Sequence, residues 1–131
     1  MEHCEQSEAY AEIGEELIRT VPSLQWIHES EISVGYLVSD LKKTSNGKTV
    51  FGECRKVPAW AAPFVPHDFL IIVYDVNCML FTPEQIRTLL HHELLHIGMS
   101  EKGAQPVYRV VPHDIEDFRE IVDKYGLDWS R

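Results

Sequence analysis

Hydrophobic positions along this chain follow two rhythms, one of three to four residues and one that is continuous or alternating. Between residues 5 and 20, Tyr10, Ile13, Leu17 and Ile18 recur at helical spacing among glutamates, and the proline of "TVPS" closes the pattern, which predicts an amphipathic first helix. "EISVGYLVSD" and "KTVFGECRKV" are rich in β-branched and aromatic residues and flank "KKTSNG", whose Asn46-Gly47 pair is a strong turn signal, so the two segments read as a β-hairpin. "PAWAAPFVP" is expected to be an ordered surface loop anchored by Trp60 and Phe64. "DFLIIVYD" is a continuous apolar run of strand length and reads as a buried strand.

The helical rhythm returns after residue 82. Thr82 is placed to cap a helix, Pro83 suits its first position, Glu84 favours the positive end of the dipole and Gln85 can complete a capping box. Ile86, Leu89, Leu90, Leu94 and Ile97 give that helix a broad core face, and Gly98 offers a left-handed stop, so it is expected to span about residues 83 to 97. A polar loop, "MSEKGAQPVYRVVP", turns into a short extended piece. A further helix is then expected from about 113 to 125, with Ile115, Phe118, Ile121, Val122 and Tyr125 as its apolar stripe and Gly126 as its stop. Helices interspersed with a few strands predict an α+β fold, with helices packed on a small sheet.

The bulk numbers narrow this picture. At 131 residues and 44% hydrophobic content, the chain fits one globular domain over residues 1–131, able to bury roughly two-thirds of its unfolded surface. A formal charge of -9 argues against nucleic acid as a partner, and the short basic cluster of Lys42, Lys43, Lys48, Arg55 and Lys56 reads as the solvated side of the hairpin. No apolar run approaches the ~18 residues of a spanning helix, and the N-terminal stretch is acidic where a signal peptide would be basic, so a cytoplasmic location without membrane insertion is expected. Cys4, Cys54 and Cys78 form no CxxC pair and read as buried or incidental thiols.

Chemistry concentrates in one segment: residues 91 to 118 hold four of the seven histidines. Within the expected helix stands His92-Glu93-Leu94-Leu95-His96, an HExxH pattern that chance would give roughly 0.04 times in a chain of this composition. Histidines four apart on a helix project from one side and can converge on Zn²⁺ at ~2.0 to 2.1 Å. Glu93, one step round, is the candidate general base, because zinc lowers the pKa of water toward about 7 and a nearby carboxylate can take the released proton. A catalytic zinc generally uses three protein ligands. His113, at the first turn of the last expected helix, is the leading third candidate, with Glu116 and Asp117 as competitors. One of those acids could instead hold a histidine N–H and fix its ring. Tyr108 is a candidate oxyanion stabiliser, set against a packing role. His91 points away from the ligand pair by one helical step and reads as a surface or supporting residue; His3, His28 and His67 have no spacing that argues for a ligand.

From Asp68 to Gly126, "DFLIIVYD", "FTPEQIRTLLHHELLHI" and "YRVVPHDIEDFREIVDKYG" resemble the putative phage metallopeptidases, small zincin-like domains of bacteria and their viruses, with a weaker likeness over "KTVFGECRKV". That family is itself distantly similar to the SprT-like proteases. The resemblance implies a zincin-like fold, zinc as cofactor, peptide hydrolysis, ligands at His92, His96 and His113, and Glu93 as base. A peptide or protein substrate is expected to add to an exposed strand edge, which the sequence does not identify. Two other classes remain open: a zinc-stabilised, non-catalytic binding protein acting as a viral or prophage modulator of a host factor, and a hydrolase of non-peptide substrates.

Overall fold

A computed structural model describes residues 3–102, 105–112, 119–126 and 129. The elements are β1 (Cys4–Gln6), α1 (Glu8–Thr20), α2 (Gln25–Glu29), β2 (Val34–Ser39), β3 (Thr44–Ser45), β4 (Lys48–Thr49), β5 (Gly52–Lys56), β6 (Phe69–Tyr74), α3 (Pro83–Leu94), β7 (Ile97–Lys102), β8 (Gln105–Val110) and α4 (Arg119–Tyr125). The fold is α+β, as expected. A four-stranded sheet of order β1-β2-β6-β5 carries the helices, and β3-β4 and β7-β8 form two separate ribbons.

The hairpin expected from "EISVGYLVSD" and "KTVFGECRKV" does not form. β6 lies between the two segments, parallel to β2 (Val34 opposite Phe69) and antiparallel to β5 (Cys54 opposite Ile71). The turn signal was local: Asn46 and Gly47 both have positive φ, as a tight hairpin turn requires, but they close only the two-residue β3-β4 ladder. β2 is largely buried and needs partners on both edges, which the apolar β6 and the short β1 supply.

β1 also shortens the first expected helix. Residues 4–6 are extended, and α1 begins at Glu8 behind Ser7, whose hydroxyl accepts from the Tyr10 N–H. Its end at Thr20, before Pro22, falls where the proline predicted. Leu17, Ile18, Leu24 and Ile27 from the helical layer meet Val34, Tyr36, Phe69, Ile71 and Val73 from one sheet face in a common core that also takes in Leu89, Leu90 and Leu94 of α3. Alternation along β6 leaves Leu70 and Ile72 half-buried on the opposite face.

Three further expectations are corrected. Trp60 and Phe64 do not anchor the proline-rich loop, being 81% and 87% exposed; the small Ala61 is the buried residue there. α3 stops at Leu94, and Gly98 is a β7 residue rather than a left-handed stop. A Cβ on Gly98 would lie 2.2 Å from Val111 Cγ2, so this glycine makes room for the Val111 side chain. "MSEKGAQPVYRVVP" is mostly paired strand, with Ile97 opposite Val110 and Met99 opposite Tyr108. Gly126, at φ +89°, does end the last helix. Among the described residues, no helix is long and apolar enough to cross a membrane.

Candidate metal centre and its cleft

α3 starts as its sequence dictates. The Thr82 hydroxyl accepts from the Gln85 N–H at 3.2 Å, and the Gln85 side-chain oxygen accepts from the Thr82 N–H at 2.7 Å. Such a capping box, with proline in the first turn, fixes where the helix begins and therefore which residues face the sheet seven to ten positions later. Thr88, Leu89, Leu90 and Leu94 are buried, and Glu93 is buried with them.

The helix tightens after Leu94: the Leu95 N–H donates to His91 O and the His96 N–H donates to Glu93 O, both at 3.1 Å. His96 thus sits one residue beyond the helical cap, yet its ring lies 5.2 Å from that of His92, centroid to centroid. Donor atoms of His92, Glu93 and His96 all fall within 4.8 Å of one another. Val111 holds His96 twice. Its N–H donates to the His96 carbonyl at 2.6 Å, and its carbonyl accepts from His96 Nδ1 at 2.5 Å. The second bond orients the ring, whose Nε2 stands 4.0 Å from Glu93 Oε1; a backbone carbonyl on one ring nitrogen commonly fixes the orientation of a histidine that ligates a metal through the other.

A cleft of about 280 Å³ opens beside these three residues, lined also by Gly52, Glu53 and Cys54 of β5 and by Val110 of β8. β5 bonds β6 along one edge, and among the described residues no strand pairs with its other edge. Gly52 sets how closely strand and helix approach: a Cβ there would lie 3.4 Å from Glu93 Cγ, 3.3 Å from Leu89 Cδ1 and 3.2 Å from the Ile72 carbonyl. Glu53 accepts from Lys43, Arg55 and the Tyr74 hydroxyl, so part of the basic cluster read as solvated is spent on this carboxylate. Burial, helped by the Glu93 charge, pushes the Cys54 thiol up to about 12.

His91 differs from its expected place. It is fully buried, not on the surface; Nε2 donates to the Glu120 carboxylate, and Nδ1 accepts from the Tyr125 hydroxyl at 3.1 Å. Burial lowers the imidazole pKa against the opposite pull of Glu120, consistent with a neutral ring that joins α3 to α4. Tyr108 packs its ring 5.9 Å from that of Phe69, against the core, which fits the packing role. His67 pairs with the Ser33 hydroxyl at 2.8 Å and His3 with Glu5 at 2.9 Å. His113, Glu116 and Asp117, the three candidates for a third ligand, lie outside the described residues. Sequence reasoning missed Gly52, Cys54, Val111 and Trp129, whose ring stands 6.2 Å from that of His92. Only strand pairing brings the first two to α3, and no spacing along the chain announces it.

The donor set fits a metal ion: two imidazoles from neighbouring turns, one held by a backbone carbonyl, beside a carboxylate that is buried yet borders a cleft. A family model described as "Putative phage metallopeptidase" matches residues 2–131. No curated protein and no solved structure matches the chain.

Proposed function

The chain belongs to the putative phage metallopeptidase family, and from that premise we propose that it is a zinc-dependent peptidase whose centre is the HExxH segment. His92 and His96 would hold the ion through ring nitrogens, with His113 as third ligand. His113 is two residues beyond Val111, which is bonded to His96, and two residues of chain reach at most about 7 Å. The ion would supply a Lewis acid that polarises a carbonyl and acidifies water.

The chain's own groups divide the remaining work. Glu93 accepts the proton of the attacking water and hands it to the leaving amine; its burial, next to a glycine backbone on one side and the two imidazoles on the other, keeps the carboxylate in place for both transfers. The Val111 carbonyl holds the His96 ring in one orientation. The edge of β5 away from β6, with which no strand pairs among the described residues and near which β8 packs, would offer backbone groups to an extended peptide whose carbonyl enters the cleft. The observation that carries this reading is the convergence of His92, Glu93 and His96 within 4.8 Å in a cleft that β5 and Val110 of β8 border.

The second reading, a zinc-stabilised binding protein, draws on Cys54, which lines the same cleft and would close the coordination shell as a thiolate. X-ray absorption on the zinc-loaded protein separates the two. Three nitrogen ligands with one light exchangeable ligand support the peptidase; sulfur in the shell, or four protein ligands, supports the closed structural site.

A further inference from the structure

Beside the cleft lies a second and larger cavity, of about 580 Å³, in the size range of ligand-binding pockets. Its walls are mostly apolar, formed by Phe51, Val76, Met79, Leu80 and Phe81, with Asn77 and Gln85 as the polar members. Met79 is 76% exposed and Leu80 is 95% exposed, a costly arrangement for two large apolar side chains in adjacent positions.

The cavity is built rather than incidental. Asn77 donates to the carbonyls of Lys43 at 3.0 Å and Val50 at 2.7 Å, tying the loop after β6 to the β3-β4 ribbon. Backbone bonds from Cys78 N to Asp75 O and from Phe81 N to Cys78 O, at 3.0 and 2.9 Å, turn that loop back toward α3. Gln85 is held twice, at the Thr82 cap and by donating to the Trp129 carbonyl at 2.9 Å.

It also lies near the candidate metal centre, although the two share no lining residue. Phe51 directly precedes Gly52, the cleft residue beside Glu93. The ring of Phe51 lies 4.8 Å from that of Phe81, Phe81 lies 6.2 Å from Trp129, and Trp129 lies 6.2 Å from His92, so an aromatic row runs from the cavity to the ligand pair. Along α3, Gln85 and His92 are seven residues apart, about 10 Å, which an extended peptide covers in about three residues.

From this geometry we infer that the Phe51–Met79–Leu80–Phe81 cavity is a specificity subsite, which receives a bulky apolar side chain of an extended peptide about three residues to one side of the bond at the metal centre. The inference rests on the peptidase reading of that centre. The occupant follows from where the cavity lies: Phe51 in its wall is the residue before Gly52 in the wall of the cleft, and the ring row joins it to His92, so a peptide lying along β5 with its scissile bond in the cleft would place a neighbouring side chain at the cavity. Its substrate class is therefore an unstructured peptide segment carrying Leu, Met or Phe at a fixed distance from the cleaved bond.

Two assays on zinc-loaded protein test it. Binding is measured with Glu93→Gln, using end-blocked alanine-based peptides with or without a single leucine scanned along them; cleavage is measured with wild type on the same peptides. The expected result is about tenfold tighter binding of leucine peptides than of the all-alanine one, lost in Leu80→Asp, and a cleaved bond at a constant two- to four-residue offset from the leucine, on one side (about the spacing above). Equal affinity for both peptides, or an unchanged preference in Leu80→Asp, overturns the subsite. A dimer in sedimentation that Leu80→Asp dissolves also overturns it, by giving the cavity to a second copy of the chain. Cleavage without an apolar preference leaves the peptidase standing and removes the subsite; a leucine preference in binding with no cleavage by wild type keeps the apolar site and removes the peptidase.

Discussion

His91 and His92 are neighbours in the chain and belong to different parts of the molecule. His91 is sealed between α3 and α4, neutral by burial, with both ring nitrogens bonded to Glu120 and Tyr125. His92 is half-buried, faces the cleft and shares a small volume with Glu93 and His96. About 100° of helical rotation separates the two. The difference teaches that residue type alone did not set the role of either imidazole: the capping box that fixes the start of α3 fixes which histidine meets α4 and which meets the cleft.

The widest separation between them is expected on replacing each by alanine. His92→Ala should leave purified protein with almost no zinc while shifting metal-free stability by no more than about 1 kcal/mol. His91→Ala should retain the ligand pair but lose about 3 kcal/mol in urea unfolding, because it opens a cavity and strands the Glu120 carboxylate and the Tyr125 hydroxyl. Matching losses of zinc and stability in both variants would dissolve the distinction.

The next contrast moves to the third ligand. His113→Ala should lose most bound metal and Asp114→Ala should keep it, as read by metal content after purification. Equal occupancy in the two would transfer the role to Glu116, Asp117 or another residue.

The smallest effect concerns the thiols. Burial raises both Cys54 and Cys78 to about 12, so at about pH 8 each is almost wholly protonated, and alkylation should be slow there and accelerate as pH rises toward that value. Cys4 is exposed and should be labelled first. Mass spectrometry after brief iodoacetamide treatment reads the order, and early labelling of Cys54 would mean that the wall of the cleft opposite Glu93 is looser than described.

The sequence made α3 legible because cap, proline and apolar spacing all lie within one local stretch, and the four-residue spacing announced the pairing of His92 with His96, although a tightened turn beyond Leu94 is what carries His96. It misled where the outcome depended on distant partners. Asn46-Gly47 announced a turn correctly, but a turn does not say how far its ladder extends; β6, some twenty residues on, displaced the expected pairing by offering β2 a longer apolar edge. Gly98 looked like a helix stop because glycine has two uses, and close approach to Val111 was the one that applied. His91 carried no sign of burial because its partners, Glu120 and Tyr125, are about thirty residues away. The β5 edge, which borders the candidate centre, could not be named until β6 had claimed its other side.

The central claim, that Glu93 moves a proton at a zinc centre rather than bracing a structural one, is tested most directly by Glu93→Gln. The amide keeps the size of the carboxylate but cannot take the proton of water. With wild type and variant both confirmed as zinc-loaded, hydrolysis of a denatured protein mixture is followed by the appearance of new peptide termini. The account predicts unchanged zinc and fold and a rate lower by about 10² to 10⁴ in the variant. Equal rates, or no hydrolysis by wild type together with an intact cellular effect of the variant, would contradict it and leave the "HHELLH" segment with a structural role.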